Sequence, residues 1–253
     1  MKRLSLTILP ILLLSSCGPT PITLDEAKIR LNDIVSTLEA GQILTPDAFT
    51  IEFYMSTKDA VDGNSTMRNI TSYDANAYYF YAETYNYDDA SETNMTMKSW
   101  MYVEGTSVYM LEETTSKENL TRHFDTEELA KAYFDENVAR VLDESMYNPV
   151  ILTYSVSSSV NRVFATIESG NPAIEMSYSF GSDKEGQLHV AYEEKNEGLN
   201  NRMNVKIDDY ILRSVETVME DDNGAALTVR ANVNLSANIH KPNANEFLIA
   251  PTN

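Results

Sequence analysis

Few side chains in this 253-residue sequence are placed to do covalent chemistry. The lone cysteine, Cys17, follows an N-terminus in which Lys2 and Arg3 precede an apolar run that reaches Leu14. The three histidines lie far apart, at His123, His189 and His240. None has a second histidine or a cysteine at metal-binding spacing, and the sequence contains no nucleophile elbow and no Gly-rich phosphate loop. We therefore predict that the chain is not an enzyme and holds no metal or cofactor.

One acidic run, from Glu220 to Gly224, has the carboxylate density of a calcium loop. If Gly224 occupied the glycine position of an EF-hand loop, Met219 and Arg230 would stand where oxygen ligands are required. The run has instead the Asp-Asn-Gly pattern that is typical of a hairpin turn. We predict a polar hairpin tip there rather than a metal site.

The residues that end at the cysteine, Leu14-Ser15-Ser16-Cys17, resemble the lipobox of a bacterial lipoprotein signal peptide. The positive start and an apolar stretch too short to span a bilayer are typical of a secretory signal. The resemblance implies that residues 1–16 are a signal peptide and that Cys17 is lipidated, with acyl chains such as palmitate. It also implies a protein anchored by lipid to the bacterial cell membrane or outer membrane and facing outside the cytoplasm.

Acidic residues dominate the composition, with 38 Asp and Glu against 19 Lys and Arg and a formal net charge of −19. Such a chain lacks the basic surface that nucleic-acid backbones require, so we predict no nucleic-acid partner. Anionic headgroups would also repel it, which leaves the lipid as the membrane anchor. With no second cysteine for a disulfide, we expect a monomer that is stabilised by its hydrophobic core.

Sequence periodicity predicts one helix at the start of the mature chain, followed by a series of strands. Thr23 and Glu26 have the spacing of a capping box, and the apolar residues that follow predict a helix over 24–40. Alternating apolar and polar residues predict strands over 49–55, 77–87, 100–103, 108–112, 174–180, 188–192, 203–207, 211–219 and 227–235.

The middle of the chain is less clear. A second helix is predicted from about Asp125 to Met146, where Asn148-Pro149 would end it. The segment Val150–Glu168 is rich in β-branched residues, which favours a strand, but its apolar residues recur at helical spacing. Both interpretations of this segment stay open.

Aromatic residues cluster on two neighbouring predicted strands. They could form the wall of an apolar cavity, with hydroxyl groups placed to hold a polar group. They could also be cross-strand pairs that only stabilise a sheet. Together with two apolar residues of an earlier strand, the candidate cavity-lining residues are Phe53, Met55, Tyr79, Tyr81, Trp100 and Tyr102.

We predict an α+β fold with one large curved antiparallel β-sheet, an open half-barrel, wrapped on two or three helices. The order of elements is similar to that of the lipoprotein-carrier superfamily that includes LolA, LolB, LppX and LprG. The likeness consists of the first helix (Thr23–Ala40), the helix after Phe124, the strands paired across Asp222-Asn223-Gly224, and a Pro-containing tail at Pro242 and Pro251. It implies a single LolA-like domain over residues 23–253, joined to the lipidated cysteine by a short tether, residues 17–22.

Members of this superfamily bind acyl chains or lipidated proteins between the sheet and its helices. The resemblance therefore implies a non-catalytic protein that binds a hydrophobic ligand, a lipid or an acyl chain, in that space. The alternative is a surface structural or protein-interaction lipoprotein with a filled core and no ligand. The two hypotheses differ in whether side chains fill the space between sheet and helices.

Overall fold

The structure is a computed structural model that describes residues 18–59, 63–89, 91, 93–143 and 147–247. The predicted signal peptide and the predicted lipidation site, Cys17, lie outside the described residues. So do Met146 of the second predicted helix and Pro251 of the tail.

The described chain is mostly strand, interrupted by three helices. The helices are α1 (Leu24–Glu39), α2 (Glu127–Leu142) and α3 (Pro149–Ser169), with a final turn of 3₁₀ helix (Ala244–Phe247). The strands are β1 (Pro21–Ile22), β2 (Ala48–Asp59), β3 (Gly63–Asp74), β4 (Tyr79–Asp88), β5 (Thr93–Glu104), β6 (Ser107–Glu113), β7 (Lys117–His123), β8 (Glu175–Gly181), β9 (Leu188–Asn196), β10 (Leu199–Asp208), β11 (Ile211–Asp221) and β12 (Ala226–Asn234). Within these residues, no helix has the length and apolar character needed to cross a membrane.

The twelve strands of the described residues form one antiparallel sheet, in the order β1-β8-β9-β10-β11-β12-β2-β3-β4-β5-β6-β7. Two meanders lie side by side because β12 pairs with β2 along its whole length. The sheet is open, with β1 and β7 at its edges. A sheet of this many strands twists and coils rather than lying flat. The predicted fold class, one large open antiparallel sheet with helices, is confirmed.

Side chains alternate between a helix face, which packs on the three helices, and an outer face. We divide the sheet across its strands into two halves. The near half ends at the β3–β4, β5–β6 and β10–β11 connections. The far half ends at the β2–β3, β4–β5 and β11–β12 hairpin tips. On the helix face of β2, Phe49 and Ile51 are fully buried, whereas Met55 is only half-buried. The helices therefore cover the near half and leave the far half open over β2–β5 and β12, whereas Met203 and Tyr192, in the same cross-strand row as Met55, are buried.

Side chains fill the space between the helices and the near half. α1 and α3 bury Leu31, Ile34 and Val160 completely against β2 and β8–β12. α2 forms a second cluster with β4–β6, in which the Phe134 side chain is fully buried. The near half is thus a solid core.

The first helix begins as its sequence predicts. The backbone N–H of Thr23 donates to the Glu26 carboxylate at 2.8 Å, and the backbone N–H of Glu26 donates to the Thr23 hydroxyl at 3.3 Å. These reciprocal bonds form the capping box that starts α1.

Asn148 and Pro149 begin a helix rather than end one, so the predicted helix end is wrong. α2 ends earlier, at Leu142, and Asn148 caps α3 by accepting from the Val150 N–H at 2.9 Å. Its amide also donates to the Leu142 carbonyl at 2.8 Å, which joins the end of α2 to the start of α3. Pro149 fits the first helical position because N–H groups there have no intrahelical acceptor. The open segment Val150–Glu168 is therefore helical.

The predicted tether is bound to the edge of the sheet at its near end. Pro21–Ile22 pairs with the end of β8, and Thr20 donates from its N–H and its hydroxyl to Asp183 at 2.7 and 2.6 Å. A Cβ on Gly181 would lie only 2.8 Å from Cγ of Pro19, so a glycine is needed for this close approach. The chain before α1 thus lies against β8.

Candidate functional site

The open far half of the helix face carries a row of apolar side chains, which we call the methionine strip. Its members are Phe53, Met55, Met67, Met95, Met97 and Val229. Met95 is 52% exposed and Met97 is 36% exposed, while the other members are half-buried. Exposed apolar side chains grouped on one face are typical of a binding surface, and here Asn86 and Thr84 of β4 separate Met95 and Met97 from the other members.

Strand register builds this strip from residues that are distant in the sequence. Val229 of β12 lies opposite Met55 of β2, and Met55 lies opposite Met67 of β3. The same row continues through Asn86 of β4 to Met95 of β5. Methionine is flexible and polarisable, so such a surface adapts to apolar groups of different shapes.

A chain of polar groups crosses the helix face within the strip, where Asn69 and Thr84 lie in the same cross-strand row as Phe53 and Met97. Thr71 is fully buried and donates its hydroxyl to the Asn69 carbonyl oxygen at 3.1 Å. The Asn69 amide in turn donates to the Thr84 hydroxyl at 3.0 Å. These bonds satisfy each other, which fixes the polar side chains that lie among the strip residues.

Two of the six candidate residues lie on the strip, and four lie elsewhere. Phe53 and Met55 are on the helix face, at the border between the core and the far half. Register places the other four, which are Tyr79, Tyr81, Trp100 and Tyr102, on the outer face. They therefore do not line a space between sheet and helices, because they point away from the helices.

Three of those four side chains lie under a C-terminal strap, residues Ser236–Phe247. The Tyr79 hydroxyl and the Trp100 indole N–H both donate to the His240 carbonyl at 3.1 Å, and the Tyr102 hydroxyl donates to the Pro242 carbonyl at 3.3 Å.

Phe247, at the end of the strap, is almost fully buried. Its ring meets the Trp100 ring edge-on, with centroids 5.6 Å apart. The aromatic wall predicted from the sequence therefore exists, but the protein's own C-terminus occupies it.

Burial under the strap keeps these phenols protonated. It raises the pKa of Tyr79, and it raises the pKa of Tyr102 to about 12. Tyr81, just beyond the strap, has a raised pKa from burial and from donating its hydroxyl to Glu83 at 2.7 Å. All three hydroxyls therefore act as hydrogen-bond donors at neutral pH.

The histidines stay apart in the fold. The Nδ1 of His123 lies 2.9 Å from the Ser107 hydroxyl across β6 and β7, and His189 lies on β9. His240 contributes its backbone to the strap. Among the residues that the structure describes, no three His, Cys, Asp or Glu side chains are grouped so as to hold a metal.

Met67, Met95 and Met97 are the strip residues that the sequence did not single out. Alternation in β2 identifies the face that carries Met55, but the partners on β3 and β5 depend on the pairing of the strands. The extent of helix cover decides which rows stay open, and that too is a tertiary property. The usable signal was the clustering of methionines in residues 55–101.

Comparison with known proteins gives structural likenesses alone. No protein-family model matches the chain, and no curated protein matches it. A solved DUF1329 family protein from Desulfovibrio piger is similar at 12% identity and a TM-score of 0.23, over 82% of this chain and 91% of that one. A LolA superfamily protein from Nitrosomonas europaea is similar at 9% identity and a TM-score of 0.22, over 88% of this chain and 97% of that one. The functional proposals below therefore rest on the residues of this chain.

Proposed function

We propose that this chain is a bacterial lipoprotein, anchored outside the cytoplasm through acyl chains on Cys17, that binds a hydrophobic ligand on the methionine strip without catalysing a reaction. The observation that carries the proposal is the half-exposed apolar row in the open far half of the helix face. The ligand is a lipid or an acyl chain, and binding is reversible.

The energetics favour an apolar ligand there. Covering one exposed methionine side chain stabilises a complex by about 1.5–3 kcal/mol, so contact with several strip members would hold a single acyl chain. The chain has a net charge of −19, so its surface is acidic, and the strip is an exposed apolar region on that surface. The ligand site proposed here lies beside the solid core rather than inside it.

The solid near half favours a second candidate, a structural or protein-interaction lipoprotein with no ligand. In that case the strip would be covered by another protein rather than by a lipid. The two candidates differ in what co-purifies with the full chain and in what the strip binds.

Ligand binding is tested by titrating the purified full chain with the apolar fluorophore N-phenyl-1-naphthylamine and by native mass spectrometry for bound lipid. Met95→Asp with Met97→Asp should weaken probe binding by about tenfold or more, because carboxylates would be desolvated on contact. Leu44→Asp is the matched control, since Leu44 is 80% exposed and lies before β2, outside the strip.

Unchanged probe binding in the double variant, with no lipid in the native spectrum, would favour the structural candidate. The anchor is tested separately by Cys17→Ser, which should abolish incorporation of a palmitate analogue and release the protein from the membrane fraction. Retention of the label in that variant would contradict lipidation at Cys17.

A further inference from the structure

A depression of about 340 Å³ lies on the outer face of the far half, on the side of the sheet opposite the strip. It is lined by Tyr54, Thr66, Arg68, Ile70, Glu83 and Tyr85, from the three adjacent strands β2, β3 and β4. Its volume is within the range of small-molecule sites.

Strand register centres this depression on one arginine between two tyrosines. Arg68 of β3 lies directly opposite Tyr54 of β2 on one side and Tyr85 of β4 on the other. The next residue of the same row is Arg230 of β12, whose Nε lies 2.6 Å from the Glu216 carboxylate. Arg230 is therefore neutralised, whereas Arg68 has a tyrosine at the opposing position on each neighbouring strand.

Arg68 makes no ion pair with any residue that the structure describes. Four of the seven other arginines in the described residues likewise have no ion pair, so what sets Arg68 apart is its place between two tyrosines. The carboxylate in the depression, Glu83, accepts from the Tyr81 hydroxyl and lies directly opposite Lys98 of β5. The acid nearest to the site thus has other partners.

We propose that this depression is a binding site for a small monocarboxylate with an aromatic or planar body. The Arg68 guanidinium presents a donor fork that matches a carboxylate, and the flanking Tyr54 and Tyr85 rings and Ile70 provide apolar walls for the body. Glu83 offsets the positive charge of Arg68, so recognition of the carboxylate rests on the two hydrogen bonds of the guanidinium fork rather than on net charge. The site is independent of the methionine strip, since it lies on the other face of the sheet.

The probe for this site is phenylacetate, added to the full chain in low-salt buffer and followed by saturation-transfer NMR and calorimetry. Arg68→Gln should weaken phenylacetate binding by about tenfold or more, which corresponds to about 1.4 kcal/mol. Arg68→Lys should bind with intermediate strength, because it keeps the charge but loses the fork. The neutral benzyl alcohol should bind more weakly than phenylacetate, because it lacks the carboxylate that the fork would hold.

Arg202→Gln is the matched control, because Arg202 is also in mid-strand on the outer face but lines a separate depression, opposite Glu193. Its binding of phenylacetate should stay within about twofold of the unaltered chain. Tyr85→Leu gives a second variant that keeps the charge and removes one wall. No saturation transfer to phenylacetate, or equal losses in Arg68→Gln and Arg202→Gln, would overturn the proposal, and unchanged circular dichroism would show that the variants are folded.

Discussion

Buried polar side chains in this fold join elements that are far apart in the sequence. The Thr153 side chain is fully buried in α3, where its hydroxyl donates to the Pro149 carbonyl at 2.6 Å. The same oxygen accepts from the Leu212 N–H of β11 at 2.8 Å, next to a register shift between β10 and β11. One hydroxyl therefore satisfies a backbone donor that the irregular ladder leaves available.

Thr153→Val should lower the free energy of unfolding by about 1–3 kcal/mol, because the buried Leu212 N–H would lose its acceptor while the side-chain volume stays the same. Urea unfolding followed by circular dichroism measures the loss. Thr153→Ser is the control: it keeps the hydroxyl and should be the more stable of the two variants. A valine variant as stable as the serine variant would contradict the assigned role of this bond.

At the scale of elements, local signals predicted the elements that depend on local chemistry. The capping box at Thr23 predicted the start of α1, and the alternation of β2 predicted its buried face. The Asn-Pro pair at 148–149 was misread because a helix end and a helix start use similar residues. The β-branched composition of Val150–Glu168 was outweighed by burial of its apolar stripe against β11 and α1.

The sequence does not predict the position of the strap. The aromatic side chains donate to backbone carbonyls of this irregular segment, and any residue type can supply such a carbonyl. Phe247→Ala should loosen the strap, because Phe247 packs on Trp100 at one end of the segment. Trp100 is the single tryptophan of the chain, so its emission reports the change directly. We expect a shift to longer wavelength and stronger acrylamide quenching.

Only the strap would detach in Phe247→Ala. The free energy of unfolding of the whole chain should therefore fall by less than the roughly 3–5 kcal/mol that is typical of a core Phe→Ala change. Glu246→Ala, at the exposed neighbouring position, should leave the emission of Trp100 unchanged. Emission identical to that of the unaltered chain in both variants would show that Phe247 does not hold the strap.

At the scale of the whole molecule, we expect mildly acidic pH to lower the free energy of unfolding through His189. Burial lowers the pKa of His189 below its ordinary value of 6.5, with a further contribution from nearby Lys206. As the pH falls through 6.5, the unfolded chain takes up this proton before the folded one does. The free energy of unfolding should therefore decrease as the pH falls through that range.

Urea unfolding at about pH 7.5 and about pH 5.5 measures this dependence, since ordinary carboxyl groups titrate below that window. His189→Asn should reduce the difference between the two conditions, because the asparagine takes up no proton. An identical difference in the variant would assign the dependence to other groups.

The fold class was predictable from the sequence, whereas the position of the candidate site was not. The class of the fold follows from strand alternation and two or three amphipathic helices, and the structure agrees. The site does not follow, because the row from Val229 to Met95 depends on the pairing of β12 with β2, which joins positions about 170 residues apart. The aromatic residues were found as a cluster, but their face stayed open, since a Tyr-rich strand with two apolar faces gives no sign of which one meets the helices.

The pairing of β1 with β8 limits how far the folded domain could lie from an acyl chain on Cys17. Three residues separate Cys17 from Pro21, and the four Cα–Cα steps between them reach about 14 Å at full extension. If Cys17 is acylated, so short a tether would hold the β1–β8 edge of the sheet close to the lipid and limit the rotation of the domain. The strand ends that bear the methionines then project outward from the leaflet.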